Sequence, residues 1–561
     1  MGLSRARAIG LVLVAVAAVA VAAFPAQAAD LVLLPVIASF SVARLGAAYA
    51  LSVVFAVAFG HAAATNRRAA AILLPFLDVL QSVPIFGFFP AALVFFVATF
   101  HGHPIGLEFA VVFLIFTSMA WNMAYGVYES LTTIPHDLES AATGFGLRGW
   151  LRFRRLLFPA MVPKLVYNSM LSWSNGWYFL VASEVFTAFG ERHTRPGLGA
   201  YIAEAGIAGD VPGIFLGLGA LAAVVLTLDA IVWRPTSLWA ERFRFDAVGG
   251  VPRVPGPYER LRWLPRFPGL RARVLATARP LRDRWEHASE RLERAYASHP
   301  GTLRTVRRVD IAMFAAIFVI VVAAGVAGLI GLLARPLPEA AREIPVATAS
   351  SFLRLALAYG LALAWTIPMA AWVARDARAS RLLTPVLEVF ASLPATALLP
   401  VILGASIGIA SFAGLEDELA ALLIALFAMQ WYLLFNLIAG IRGVPADLHD
   451  AARAFGVRGW RYWRRVLLPA AMPSIVTGSV TAWGAGWNAL IVSEYIPFGG
   501  PVHEVTGIGN LLARATFAAT PDNEMILLTV LTMIVVVLAM NKLLWRNLYR
   551  RASERYRIEI Q

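Results

Sequence analysis

Apolar stretches near the ~20 residues needed to cross a bilayer recur along this 561-residue chain. They fall at about 8–24, 43–63, 72–99, 106–128, 164–188 and 212–234, and again at about 311–333, 353–373, 382–409, 417–439, 474–497 and 524–545. A backbone in hydrocarbon must satisfy its own N–H and C=O groups, so such stretches fold as helices. The chain is therefore an all-α integral membrane protein of about twelve transmembrane helices. Only 15% of residues are charged, against about a quarter in soluble domains. The third stretch of each group is long and holds internal prolines, which predicts a kink or a segment partly outside the bilayer.

The twelve stretches are two copies of six. From about 41 to 199 the halves align at a constant offset of 310 residues. Arg44, Leu45 and Tyr49 match Arg354, Leu355 and Tyr359; Pro75, Pro84 and Pro90 match Pro385, Pro394 and Pro400. Trp121, Trp173, Gly176, Trp177, Ser183 and Glu184 match Trp431, Trp483, Gly486, Trp487, Ser493 and Glu494, and Gly197 and Gly199 match Gly507 and Gly509. After a small slip, Trp233 matches Trp545. Chance shares leucines between membrane helices; it does not share prolines, tryptophans and glycines in register. The domains expected are a first repeat at 1–234, a basic linker at 235–309 and a second repeat at 310–561.

Six spans return the chain to its starting side, so the halves are parallel. Arg67 and Arg68, Arg375, Arg378 and Arg381, then Arg148, Arg152, Arg154 and Arg155 with Arg458, Arg461, Arg464 and Arg465, mark loops on one side. By the positive-inside rule these loops, the linker and both termini are expected in the cytoplasm. The same rule accounts for the formal charge of +14 without nucleic acid as partner. The linker, with an amphipathic helix expected near 280–296, reads as a tether on acidic lipid headgroups. The first stretch, flanked by Arg5, Arg7 and Ala26-Gln27-Ala28, has the form of a cleavable signal peptide. Its counterpart at 311–333 has no such site, which favours a retained span. With no cysteine, disulfides and thiolate metal sites are excluded. No G-x-x-x-x-G-K-[ST] phosphate loop exists, so ATP is not bound here in the usual way. His101 and His103 read as loop histidines, and no nucleophile motif supports an enzyme.

The most repeated segment lies between the fourth and fifth spans. Ser140, Ala141, Ala142 and Gly146 are followed after nine residues by Leu156-Leu157-Phe158-Pro159; Asp450, Ala451, Ala452 and Gly456 lead likewise to Val466-Leu467-Leu468-Pro469. The spacing predicts a short helix, a glycine reversal and an Arg-rich second helix. The paired alanines predict a narrow surface for another protein, and Pro159 and Pro469 are expected to end the element before the membrane. The pattern resembles the "EAA" loop of binding-protein-dependent ABC importer permeases, with Ser140 and Asp450 where that family has Glu and Phe158 where it has Leu. The resemblance implies a type I permease fold with two coupling helices. It implies a cytoplasmic ABC ATPase dimer carrying ATP and Mg, with no cofactor in this chain, an extracytoplasmic substrate-binding protein, and a bacterial-type inner membrane. Leu80-Gln81-Ser82-Val83-Pro84 and Ser392-Leu393-Pro394 resemble the nitrate, sulfonate and taurine branch, as do Glu184 and Glu494 with the Gly-x-Gly turns after them. The duplicated form resembles the fused anion permeases, which implies a small anion as solute. Secondary carriers of the major facilitator kind share the topology, but their Gly-x-x-x-Asp-Arg signature is missing between the second and third spans.

Ser169, Trp173, Gly176, Leu180 and Glu184 recur at helical spacing, and Ser479, Trp483, Gly486, Leu490 and Glu494 repeat them. Such a stripe serves helix packing or lines a translocation path, and helical spacing leaves both readings open. The glutamates should face protein or water, as structural or gating groups.

Overall fold

The computed structural model describes residues 28–243 and 336–555, apart from 83–84, 189–190, 195, 445, 498–501 and 519–521, with isolated positions in 316–334. In the first half the order is α1 (Ala28–Thr65), α2 (Arg67–Ser82), α3 (Ile85–Thr99), α4 (Pro104–Thr132), α5 (His136–Gly144), α6 (Phe158–Ser183), β1 (Val185–Ala188), β2 (Glu191–Thr194), α7 (Leu198–Ile207) and α8 (Val211–Leu228). The second half repeats it: α9 (Ile344–Arg375), α10 (Ala377–Ser392), α11 (Leu399–Ala410), α12 (Glu416–Arg442), α13 (Ala446–Ala454), α14 (Leu468–Glu494), β3 (Tyr495–Pro497), β4 (Val502–Glu504), α15 (Ile508–Phe517) and α16 (Asn523–Met540). Each helix of the first half thus has its counterpart eight labels on. The two antiparallel hairpins are the only strands among the described residues.

Seven described helices are long and apolar enough to cross a membrane. Helix α6, at 26 residues, is one shorter than α14, and Lys164, Asn168 and Asn175 make it less apolar. The third stretch of the second half is broken, as its prolines predict, and that of the first is described on either side of residues 83–84. Helix α2 ends at Ser82 and α3 starts at Ile85; α10 ends at Ser392 and α11 starts at Leu399. The span expected at 8–24, most of that at 311–333 and the linker helix near 280–296 lie outside the described residues. Helical structure passes the boundary expected at 234, running on to Phe243.

In each half the fourth span lies between the second and the fifth, α4 between α1 and α6 and α12 between α9 and α14. Small residues permit the approach: a Cβ at Gly176 would stand 2.1 Å from Met119 Cε, and one at Gly486 2.9 Å from Met429 Sδ. Tyr49, Trp173 and Trp233 form an edge-on triangle with centroids 5.5 Å apart. Tyr359, Trp483 and Trp545 repeat it at 5.8–6.3 Å. Such pairs contribute about 0.5–1.5 kcal/mol each beyond area burial. Trp233 and Trp545 each close a five-residue π-turn, Asp229–Trp233 and Asn541–Trp545, which turns the indole inward.

The halves meet reciprocally. Helix α8 touches α10 and α16 touches α2, so the third span of each half packs on the sixth of the other.

Candidate functional site

The repeated loops form one end of the molecule, rich in arginine. Helix α5 ends in a Schellman motif: Gly146 N–H donates to the Thr143 carbonyl at 3.0 Å and Leu147 N–H to that of Ala142 at 2.9 Å. Gly456 and Val457 close α13 on Arg453 and Ala452 at the same two distances. Gly146 and Gly456 stand at φ +70° and +67°, the left-handed region that a side chain resists. The chain reverses there, and the exposed face of each loop is crowned by an aromatic ring, Phe145 and Phe455, each 84% exposed.

Two expectations for these loops are corrected. The alanine pairs do not offer one continuous face: Ala141 and Ala451 are exposed, whereas Ala142 and Ala452 are buried in their own half. One turn of helix puts neighbours about 100° apart, so only one of each pair can face outward. Nor do Pro159 and Pro469 end the Arg-rich element. After Gly149–Arg152 and Gly459–Tyr462 come π-turns, Phe153–Leu157 and Trp463–Leu467, which lead straight into α6 and α14 with the prolines in their first turn. The wide turn bonds Phe158 N–H to the Phe153 carbonyl and Leu468 N–H to that of Trp463, which accommodates a proline that would otherwise break the ladder.

Each loop is braced by a pair at matching positions. Arg152 donates to Glu139 at 3.0 Å in the first half; in the second, Tyr462 and His449 share a hydrogen bond of 2.5 Å. Ser140 and Asp450 are exposed beside these braces.

The fifth-span stripes face inward. Ser169, Gly176, Leu180 and Glu184 are buried, as are Ser479, Trp483, Gly486, Leu490 and Glu494, and Trp173 is half-buried. Ser479 Oγ meets Tyr359 OH at 2.7 Å, and Gly176 and Gly486 abut α1 with α4 and α9 with α12 respectively. These hydrogen-bond and glycine contacts of the stripes lie within their own half.

At the far end of each stripe sits a buried ionic clamp. Arg44 from α1 donates bidentately to Glu108, Nε to Oε2 at 2.6 Å and Nη2 to Oε1 at 2.9 Å, while Nη1 reaches Glu184 at 3.0 Å and the Pro196 carbonyl at 2.8 Å. Ser41 donates to Glu184 at 2.6 Å and accepts from Leu198 N–H at 3.0 Å, and Gly199 N–H donates to Glu184 at 2.7 Å. In the second half Arg354 binds Glu418, Glu494 and the Thr506 carbonyl; Ser351 donates to Glu494 at 2.6 Å and accepts from Ile508 N–H at 2.9 Å, and Gly509 N–H donates to Glu494 at 2.7 Å. Each carboxylate thus caps the N-terminus of a short helix, α7 or α15, whose free N–H groups and dipole favour it. The sequence held the signal, an arginine matched across the repeat inside an apolar stretch, but not its partner 140 residues away. Among the described residues no three His, Asp or Glu side chains gather to hold a metal ion.

The chain holds two copies of one membrane unit, each with a basic Gly-turn loop before its fifth span. Residues 52–232 and 362–552 both match the family described as the binding-protein-dependent transport system inner membrane component. The chain belongs to that family. Its two matches start 310 residues apart, one in each half, so the family unit occurs twice. The chain is similar to the nitrate import permease protein of Leptolyngbya laminosa, 27% identical over 195 residues, 35% of this chain and 64% of that protein. It is also similar to the bicarbonate transport system permease protein of Synechococcus elongatus, 28% identical over 162 residues, 29% of this chain and 54% of that protein. A third relative is the glycine betaine/proline betaine transport system permease protein of Salmonella typhimurium, 29% identical over 147 residues, 26% of this chain and 39% of that protein. The chain thus spans less than two thirds of the length of these relatives.

Proposed function

We propose that this chain is the complete permease pair of an ATP-binding-cassette importer for a small anion of the nitrate, bicarbonate or sulfonate kind. Separate ATPase subunits in the cytoplasm drive it, and a binding protein on the opposite side delivers the solute. The observation that carries the reading is the pair of loops. Each offers a short helix of one family unit, closed by a left-handed glycine and capped by a phenylalanine that is 84% exposed. A large ring held in water at an irregular surface favours a partner's apolar groove. Two such rings at matching positions suit a two-fold partner. The arginines beside them support a cytoplasmic position for this end by the positive-inside rule.

Two relatives named for inorganic anions support an anion; the relative named for betaines makes a zwitterion the second reading. The test is co-purification with the ATPase encoded beside the gene, followed by uptake in a deletion strain of nitrate, bicarbonate, taurine, alkanesulfonates and glycine betaine. Phe145→Ala with Phe455→Ala should abolish ATPase capture while the chain still inserts. ATP hydrolysis by the chain alone, or undiminished capture by the double variant, would overturn the coupling role. Uptake of the betaine alone would replace the anion with a zwitterion.

A further inference from the structure

The Arg-rich ends of the two halves differ in what their basic side chains meet. In the second half Arg458, Arg461 and Arg465 follow at i, i+3 and i+7, with Trp460 and Arg464 four residues apart beside them. All five are exposed, Trp460 by 72%, while Tyr462 and Leu467 on the other side of the turn are buried. Tyr462 is pinned by its hydrogen bond to His449, and the Arg375 guanidinium, from the end of α9, lies over its ring at 5.1 Å. That contact brings a fifth arginine to the same patch. One turn before Arg375, on its face of α9, Trp372 is 56% exposed.

None of these arginines is spent on an acid. Among the described residues Arg375, Arg458, Arg461, Arg464 and Arg465 form no ion pair. The acids of the adjoining helices are engaged elsewhere. Asp450 faces Arg453 at 3.6 Å, and Asp376 caps α10, accepting from Arg378 and Ala379 N–H at 2.7 and 2.8 Å. The first half has no such patch. Tyr462 is matched there by Arg152, which is tied to Glu139, and Trp460 by Trp150, which is half-buried and stacks on Phe153 at 5.3 Å. Trp372 and Arg375 are matched by the buried Ala62 and by Thr65.

Depth and chemistry point to one occupant. From Gly459 to Glu494 the helical run is 36 residues, where about 20 suffice to cross hydrocarbon, so its basic end stands at headgroup depth. Exposed indoles at the ends of spans favour that same layer. Unpaired guanidinium groups match a phosphate, which each can grip with two parallel N–H groups. Clustered arginines where spans meet the membrane surface suit the headgroup of an anionic lipid.

We infer that the second half carries a headgroup site for an anionic phospholipid, its phosphate held by Arg375, Arg458, Arg461 and Arg465 with the Trp372 and Trp460 rings beside it, and that the first half has none. The site goes beyond the importer reading and needs neither solute nor ATPase. A lipid held there ties the entry of α14 to the membrane surface in one half only, next to the Phe455 loop.

The test uses the full chain in neutral detergent, with the affinity of the first bound phosphatidylglycerol or phosphatidylcholine read by native mass spectrometry. The second-half variant carries Gln at Arg375, Arg458, Arg461 and Arg465. The control carries Gln at four exposed arginines of the first half, Arg67, Arg148, Arg155 and Arg242. Each basic residue at an anionic surface contributes roughly fivefold in affinity, so the second-half variant should bind phosphatidylglycerol about tenfold or more weakly, with phosphatidylcholine unchanged. The control should stay within about twofold of wild type. A control that loses as much would show diffuse attraction by net charge and overturn the site. Unchanged phosphatidylglycerol affinity in the second-half variant, with loss of ATPase capture, would make the patch a protein contact and overturn it too. A measurement free of arginine variants uses brominated lipids in nanodiscs. The emission of Trp372 and Trp460, taken by difference from Trp372→Phe with Trp460→Phe, should be quenched more by brominated phosphatidylglycerol than by brominated phosphatidylcholine at equal mole fraction. Equal quenching by the two would overturn the inference.

Discussion

The two halves agree where charge is buried and differ where it is exposed. Arg44, Ser41, Glu108 and Glu184 recur residue for residue as Arg354, Ser351, Glu418 and Glu494, with helix N-termini donating at 2.7 Å in both. At the loops the ion pair Glu139–Arg152 is replaced by the hydrogen-bonded pair His449–Tyr462. On the hairpins, His503 meets Asp417 at 2.8 Å in the second half, where the first has Leu107 at the acid's position. The contrast follows from energetics. Removing one partner of a buried pair strands a charge, which costs about 3–5 kcal/mol, whereas an exposed pair contributes about 0–1 kcal/mol. Duplicated halves are held to the first and free to vary the second.

The largest expected effect comes from emptying the clamp. Arg44→Leu and Arg354→Leu should each destabilise the protein by about 3–5 kcal/mol, to a similar extent, in detergent-unfolding measurements. A clear difference between the two would show that the halves lean on their clamps unequally. Next come the glycines that let the clamp close. A Cβ at Gly197 would stand 2.1 Å from Glu184, and one at Gly507 2.2 Å from Glu494. Gly197→Ala and Gly507→Ala should each cost about 1–3 kcal/mol through overpacking, read by the same unfolding assay; a neutral substitution at either site would contradict the described contact. The smallest effect distinguishes the loops. Added salt screens exposed charges, and α13 holds a longer ion pair, Arg453 to Asp450 at 3.6 Å, so salt should speed hydrogen exchange more in α5 than in α13, with Arg152→Ala worth about 0.2–1 kcal/mol. Equal salt sensitivity would erase the difference between the braces.

Much of this architecture is legible in the residues. The offset of 310 locates both halves, and the prolines of the second half's third span foretell the break at 393–398. The Gly146 and Gly456 reversals follow from residue type alone. What spacing does not carry is direction. Periodicity puts Ser169, Trp173 and Gly176 on one side of α6, yet it is silent on whether that side meets α1 and α4 or an opening. Likewise it pairs Ala141 with Ala142 in sequence while the helix sends them apart. The clamp needs contacts between residues 64 and 140 positions apart, which no local pattern encodes. The π-turns before Pro159 and Pro469 escape reading because an inserted residue in a turn leaves no compositional mark.

Those π-turns make one rod of what would otherwise be two pieces. From Gly459 to Glu494 the helical run is 36 residues long, with the basic loop at one tip and the Arg354 clamp at the other. At 1.5 Å per residue the rod is roughly 54 Å, so a tilt of about 5° about one tip swings the other by about 5 Å. A rod of this length turns a small tilt at the loop end into a displacement the size of a helical turn at the clamp.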